Sequence, residues 1–107
     1  MTVHDIQKYY KLTGRLLLGC KGKVYDVSEK SEMYGKDGPY HPFIGKDASV
    51  ALAKMKFDKE FMDTAQYHWS EDLEDKEMEV LDDWAKRFDK KYLIVAEIVD
   101  DKKLKKE

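Results

Sequence analysis

Two tyrosines carry the clearest chemical signal in the sequence. Tyr34 and Tyr40 are separated by the short segment Gly-Lys-Asp-Gly-Pro. Because Lys-Asp-Gly-Pro is a strong turn sequence, we expect the chain to reverse there and bring both phenols to one wall. A phenol donates a hydrogen bond, and the phenolate is a hard oxygen donor to a metal ion.

Tyrosinate is one of the protein ligands of haem iron. The free phenol has a pKa of about 10, so ligation at neutral pH requires ferric iron or a nearby cation to stabilise the phenolate. Two alternatives stay open from the pattern alone. Both tyrosines fit ordinary half-buried aromatic positions, and His41, directly after Tyr40, is a second candidate iron ligand.

Other chemistries have little support in the sequence. His4, His41 and His68 do not pair at the helical spacing of a two-histidine metal site. The single Cys20 excludes an internal disulfide and a cysteine-based zinc cluster, and it fits a reducing compartment. No serine lies in a Gly-x-Ser-x-Gly nucleophile motif. We therefore predict a binding protein and not an enzyme.

The composition fits one soluble domain of 107 residues. The formal net charge is only -2, whereas a nucleic-acid binder presents clustered positive charge, so we expect no nucleic-acid partner. No apolar run approaches the ~18 residues of a membrane-spanning helix, and the N-terminus has no signal-peptide core. We therefore predict no transmembrane segment in this chain and a cytoplasmic location.

The first part of the chain predicts a helix followed by a β-hairpin. Thr2 and Asp5 form a capping-box pattern at the start of a short helix that ends at Gly14. Residues 16–20 and 23–27 predict two strands joined by the turn between them. Residues 29–49 then predict a long loop, a kind of segment that is usually functional.

The second part predicts helices and a last strand. Asp47 is a candidate N-cap for a helix over residues 48–55, and residues 56–68 suggest another short helix. The clearest helix lies within residues 70–92, where one face is apolar. The final apolar run predicts a mostly buried strand. These elements give an α+β class with one domain over residues 1–99 and a charged tail over residues 100–107. The apolar face of the helix predicted within residues 70–92 comprises Leu73, Met78, Leu81, Trp84, Ala85 and Phe88.

Several motifs together resemble the membrane-associated progesterone receptor family, the cytochrome b5-like haem/steroid-binding domain. The resemblance covers residues 3–99. The motifs are Gly-Lys-Val-Tyr-Asp-Val at 22–27, Tyr34-Gly35, Gly-Pro-Tyr at 38–40, Gly-Lys-Asp-Ala-Ser at 45–49, Trp84, Phe88 and Lys91-Tyr92.

The resemblance implies a cytochrome b5-like fold in which helices form a haem cleft above a small sheet. It also implies haem b bound through a tyrosinate that matches Tyr40, with Tyr34 as a second pocket tyrosine and Lys91 and Tyr92 near the haem. Lys91 would supply a cation near the phenolate or a propionate. Tyr92 would donate a hydrogen bond to the ligand oxygen.

The chain departs from related patterns at three places. The His-Pro-Gly-Gly motif of cytochrome b5 is absent, because His41-Pro42 is followed by Phe43-Ile44. Adjacent residues in extended backbone point to opposite sides, so we favour Tyr40 over His41 as the iron ligand. Met33 stands where relatives often have an aromatic residue, and its thioether is suited to a haem edge. The best-known members carry an N-terminal membrane anchor that this sequence does not show, so we expect either a soluble member or a truncated one.

The implied function is haem handling, or support of a haem enzyme such as a cytochrome P450 in sterol metabolism. Other haem proteins are further candidate partners, and association with the endoplasmic reticulum membrane would then come through partners. If one haem face is open, haem stacking predicts a homodimer. The alternative is a haem-independent module whose cleft takes a sterol, another apolar ligand or a protein partner.

Overall fold

The computed structural model describes residues 1–64 and 66–99, and these form helices around a small sheet. The three strands are antiparallel in the order β1-β2-β3, which confirms the α+β prediction. The predicted tail at 100–107 lies outside the described residues. The elements are α1 (Val3–Thr13), β1 (Leu17–Cys20), β2 (Lys23–Asp26), α2 (Ser31–Tyr34), α3 (Ser49–Lys54), α4 (Asp75–Lys91) and β3 (Leu93–Glu97), with turns of 3-10 helix at Ser28–Lys30, His41–Phe43 and Lys59–Met62.

Local sequence signals account for the ends of α1 and for the hairpin turn. The Thr2 hydroxyl accepts a hydrogen bond from the Asp5 amide at 3.1 Å, and the Asp5 carboxylate accepts one from the Thr2 amide at 2.9 Å. This confirms the predicted capping box. Gly14 ends α1 in the left-handed conformation at φ 74°. Lys21 and Gly22 join β1 to β2 with φ values of 50° and 81°, as a tight hairpin turn of type I′ requires.

The hairpin separates two apolar clusters because side chains alternate along a strand. Leu17 and Val24 face one side and pack with Ile6 of α1. Leu18 and Tyr25 face the other side, in the main core with residues of α3 and α4. α1 therefore covers one side of the hairpin, and the opposite side forms the floor of the main core.

α4 closes the main core with the apolar face that the sequence predicts. Leu81 and Phe88 are buried in the main core. The helix begins at Asp75 and not near residue 70, and the Glu77 carboxylate accepts a hydrogen bond from the Glu74 amide at 2.9 Å. An ion pair of 3.0 Å between Lys54 and Glu77 joins α3 to α4.

The prediction that the last strand is mostly buried is wrong. Leu93 is 76% exposed, Ile94 45% and Val95 49%. β3 lies at the edge of the sheet, beyond β2, where no further strand of the described residues pairs with it. A bulge at Val95 interrupts its pairing with β2, and such bulges protect edge strands from pairing with other chains. The apolar run is typical of a central strand, so the sequence alone did not distinguish the two environments.

Two short elements also differ from their predictions. α3 begins at Ser49, and its N-cap position is Ala48. Asp47 still stabilises this end, because its carboxylate accepts hydrogen bonds from the Ser49 amide at 3.0 Å and hydroxyl at 2.6 Å. The short helix that the sequence suggests within residues 56–68 is a 3-10 turn at Lys59–Met62.

The long segment over residues 29–49 is folded into a compact structure and not an open loop. The Tyr40 amide donates to the Met33 carbonyl at 2.8 Å, and the Gly38 amide donates to the Gly35 carbonyl at 2.9 Å. A Cβ atom at Gly38 would lie 2.3 Å from the Met33 oxygen, so only glycine fits between the two arms. The Gly45 amide donates to the Leu17 carbonyl at 2.9 Å, which fixes the far end of the segment to β1.

Replacement of Gly38 tests this turn. We expect Gly38→Ala to lower the free energy of unfolding by about 1–3 kcal/mol, because the added methyl group displaces the Met33 carbonyl that holds Tyr40. Lys36→Ala is the matched control in the same turn, since Lys36 is exposed and should change stability by no more than about 0.5 kcal/mol. Urea unfolding of the three proteins measures this. Equal stability of the two variants would show that the close approach is not a constraint.

Candidate functional site

A cleft of about 220 Å³ lies between α2 and the C-terminal part of α4. Tyr34, Tyr40, Lys91 and Tyr92, the residues that the sequence analysis selected, all line it. Its walls come from separate elements, so the fold and not sequence proximity brings these side chains together. The complete lining is Lys30, Met33, Tyr34, Tyr40, Trp84, Arg87, Phe88, Lys91 and Tyr92.

Tyr34 and Tyr40 form one wall of the cleft, as the turn sequence predicts. Their ring centroids are 5.7 Å apart. Tyr40 also stacks on Phe43 at 5.8 Å, with an interplanar angle of 6°, and meets the edge of Phe57 at 6.2 Å. These contacts fix the plane of the Tyr40 ring while its side chain stays half-buried.

α4 supplies the opposite wall as an aromatic stripe. Trp84, Phe88 and Tyr92 are spaced four residues apart, so they lie on one face of the helix. The Trp84 and Phe88 centroids are 5.9 Å apart, and those of Phe88 and Tyr92 are 5.6 Å apart. Two aromatic walls therefore face each other across the cleft, an arrangement suited to a flat apolar ligand.

The phenols of Tyr34 and Tyr92 form a pair. Burial raises the pKa of Tyr34, and the neighbouring phenols of Tyr92 and Tyr40 raise it further. Burial also raises the pKa of Tyr92, although the neighbouring Tyr34 phenol lowers it. Their rings meet edge to face at 6.4 Å. Both phenols therefore stay protonated at neutral pH.

Tyr40 differs from the other two phenols of the cleft. Among residues 1–64 and 66–99, no hydrogen bond engages its hydroxyl group. Its oxygen is not used within the described structure, and its side chain is only half-buried, so this phenol is accessible from the cleft. Tyr34, in contrast, is only 4% exposed.

His41 lies outside the cleft. Its Nδ1 atom is 2.9 Å from the Tyr34 carbonyl oxygen, and its ring packs edge-on against Tyr10 at 5.9 Å. The extended backbone assumed at this position is wrong, because Tyr40 has φ −104° and ψ 12° and starts a 3-10 turn. The turn directs the two side chains to different surroundings, and the imidazole supports the backbone of Tyr34.

The other candidate residues lie apart from the cleft. His4 is exposed on α1, and the His68 Nδ1 atom is 2.7 Å from the Ser70 hydroxyl in the turn before α4. Cys20 is fully buried, and burial raises the pKa of its thiol, so it is not a reactive nucleophile. Within the part of the chain that the structure describes, no three histidine, cysteine or acidic side chains form a metal-binding group.

Sequence reasoning missed three residues at the site. Lys30 and Arg87 line the cleft, and Phe57 packs against Tyr40. Arg87 was detectable, because it lies three residues after Trp84 and four before Lys91 and so shares their side of the helix. Phe57 had no such signal, since its contact with Tyr40 depends on the path of the chain after α3.

The residues present fit a haem. Tyr40 offers an oxygen donor that is not otherwise engaged, aromatic side chains offer flat apolar walls, and Lys91 and Arg87 offer cations for carboxylates. The cleft is smaller than the ~300–1,000 Å³ typical of ligand pockets. A porphyrin therefore requires its two aromatic walls to separate.

Both the sequence and the fold of this chain are similar to those of known proteins. Residues 2–98 match the family model described as "Cytochrome b5-like Heme/Steroid binding domain". A solved structure from Arabidopsis thaliana, described as a hypothetical protein with a cytochrome b5-like fold, superposes with a TM-score of 0.78 at 34% identity. The match covers 92% of this chain and 89% of the chain from Arabidopsis thaliana. The predicted cytochrome b5-like fold is thereby confirmed.

Two named relatives extend the comparison. "Cytochrome P450 regulator dap1" of Schizosaccharomyces pombe is 42% identical over 87 residues, which cover 78% of this chain and 52% of the relative. "Membrane-associated progesterone receptor component 2" of Rattus norvegicus is 39% identical over 87 residues, which cover 81% and 40%. The chain thus spans about half or less of the length of these relatives.

Many relatives carry membrane-related names, but none of the described helices combines the length and apolar character needed to cross a bilayer. The family model covers almost the whole chain, and the relatives include membrane-associated progesterone receptor components and membrane steroid-binding proteins. The chain therefore belongs to the family of cytochrome b5-like haem/steroid-binding domains.

Proposed function

We propose that this chain binds haem b in the cleft between α2 and α4, with the Tyr40 phenolate as the axial ligand of ferric iron. One observation carries the proposal: Tyr40 presents an unengaged phenol oxygen at an aromatic cleft, whereas Tyr34 is buried and packs edge to face against Tyr92. A haem held by these residues would supply a ferric centre of low potential, because an anionic oxygen ligand would stabilise the ferric state.

The neighbouring residues have separate tasks in this proposal. Phe43 and Phe57 hold the ring of Tyr40 in position. Lys91 supplies positive charge that favours the phenolate or pairs with a carboxylate of the ligand. Tyr92 lines the cleft beside Tyr34, so its hydroxyl proton is available to the ligand oxygen of Tyr40 or to solvent.

We infer an accessory role and not catalysis by this chain alone. A low-potential, oxygen-ligated haem is poorly suited to rapid electron shuttling, and it suits haem handling or support of another haem protein. A relative that carries the name of a cytochrome P450 regulator supports the proposed accessory role. A cytochrome P450 of sterol metabolism is accordingly the partner class that we propose, and haem-stacked dimers and a cytoplasmic location stay predictions.

A sterol or other apolar ligand is the second candidate for the same cleft. The aromatic walls favour any flat apolar molecule, and several relatives are named steroid-binding proteins. The two candidates differ in their use of Tyr40. An apolar ligand without a metal gains little from the phenol oxygen, whereas iron depends on it.

Replacement of Tyr40 tests the proposal directly. We expect Tyr40→Phe to weaken haem binding by at least about tenfold, or roughly 1.4 kcal/mol, and to change the ferric absorption spectrum, because the axial oxygen is removed. Haem titration followed by absorption measures both effects.

Two controls make the test specific. Tyr9→Phe removes an exposed phenol of α1 and should leave affinity and spectrum unchanged. His41→Ala should keep the ferric spectrum, although it loses the contact with the Tyr34 carbonyl. Full affinity and an unaltered spectrum in Tyr40→Phe would refute the assignment of Tyr40 as the iron ligand. Loss of the ferric spectrum only in His41→Ala would identify His41 as the ligand.

The phenol pair gives a second prediction, on the protein without ligand. Tyr34→Phe and Tyr92→Phe should each lower the free energy of unfolding by about 0.5–1.5 kcal/mol, because the polar contact between the two phenols is lost. The double variant should lose less than the sum, since both substitutions remove the same contact. Chemical unfolding of the four proteins measures the coupling, and strictly additive losses would show that the two phenols do not interact.

A further inference from the structure

The mouth of the cleft carries positive charge on both walls. Lys30 comes from the 3-10 turn before α2, and Arg87 and Lys91 come from successive turns of α4. The other lining side chains are aromatic, apart from Met33. No carboxylate lines the cleft among the described residues. The cleft thus combines an apolar interior with a purely cationic rim.

These three cations form no ion pair within the described structure. The ion pairs of residues 1–64 and 66–99 join Arg15 to Asp26, Lys21 to Asp82 and Lys54 to Glu77, so none involves the rim. The guanidinium of Arg87 lies over the ring of Trp84, with Cζ 5.4 Å from the centroid.

Stacking on Trp84 orients the guanidinium and leaves its N–H donors available for bonding to a carboxylate. The acids Glu29 and Glu32 contribute to the raised pKa of Tyr92, but they do not line the cleft.

We propose that Lys30, Arg87 and Lys91 form a carboxylate-selecting rim, so that this cleft prefers flat apolar ligands with acidic groups at one edge over neutral ligands of the same shape. The inference rests on the proposed function only in taking this cleft as the binding site. Cations on two opposite walls match a ligand with two carboxylates. The negative end of the α4 dipole, about half a charge, is outweighed by the two full charges of Arg87 and Lys91.

Metal-free protoporphyrin IX and its dimethyl ester test the rim without any contribution from iron. The two molecules share one macrocycle and differ in their two acidic groups. We expect the diacid to bind at least about fivefold more tightly than the ester at low ionic strength, with a difference that shrinks as salt screens the charges. Porphyrin fluorescence and quenching of tryptophan fluorescence report both affinities.

Variants assign the selectivity to residues. Arg87→Gln and Lys30→Gln should each reduce the ratio of diacid to ester affinity by about two- to fivefold, the upper part of the range for an exposed ion pair. Lys76→Gln is the matched control, because it removes one exposed cation from the same helix about 16 Å along its axis from Arg87. It should leave the ratio unchanged.

The outcomes separate this inference from the proposed function. Tyr40→Phe should keep the preference for the diacid, because no iron is present, even if the same variant refutes the ligand assignment. Three results with the porphyrins would refute the proposed rim: equal affinity for diacid and ester, equal effects of Arg87→Gln and Lys76→Gln, or no binding of either porphyrin. A neutral sterol that binds as tightly as the diacid would also refute it.

Discussion

The carbonyl oxygen of Met33 holds the turn on which the cleft depends. It accepts the Tyr40 amide at 2.8 Å, and Gly38 passes so close to it that a Cβ atom would lie 2.3 Å away. This contact sets Tyr40 beside Tyr34 and starts the 3-10 turn that carries His41 away from the cleft. His41 in turn contacts the Tyr34 carbonyl, so the turn and the first wall support each other.

The three phenols of the cleft divide into two kinds because of their surroundings. Tyr34 and Tyr92 pack edge to face, and burial raises the pKa of both, so their contribution is structural order on both walls. Tyr40 is held by aromatic packing through its ring, which leaves its oxygen unengaged. Tyrosines thus take different roles according to whether the fold packs only the ring or also encloses the hydroxyl group.

Local signals made much of this structure predictable. The capping box of Thr2 and Asp5, the apolar face of α4 and the turn between Tyr34 and Tyr40 depend on residues close in sequence. Each appears as predicted, except that α4 begins at Asp75 and so excludes Leu73. The exposure of Leu93 was not predictable, because an apolar strand has the same hydrophobic sequence pattern at the edge and at the centre of a sheet. Phe57 was missed because only tertiary packing brings it to Tyr40.

The resonance Raman spectrum of the ferric, haem-loaded protein tests the central claim most directly, because it reports the atom bound to iron and the coordination number. If Tyr40 is the ligand, the spectrum contains phenolate ring vibrations coupled to an iron–oxygen stretch. A spectrum of imidazole-ligated iron without phenolate bands would contradict the account.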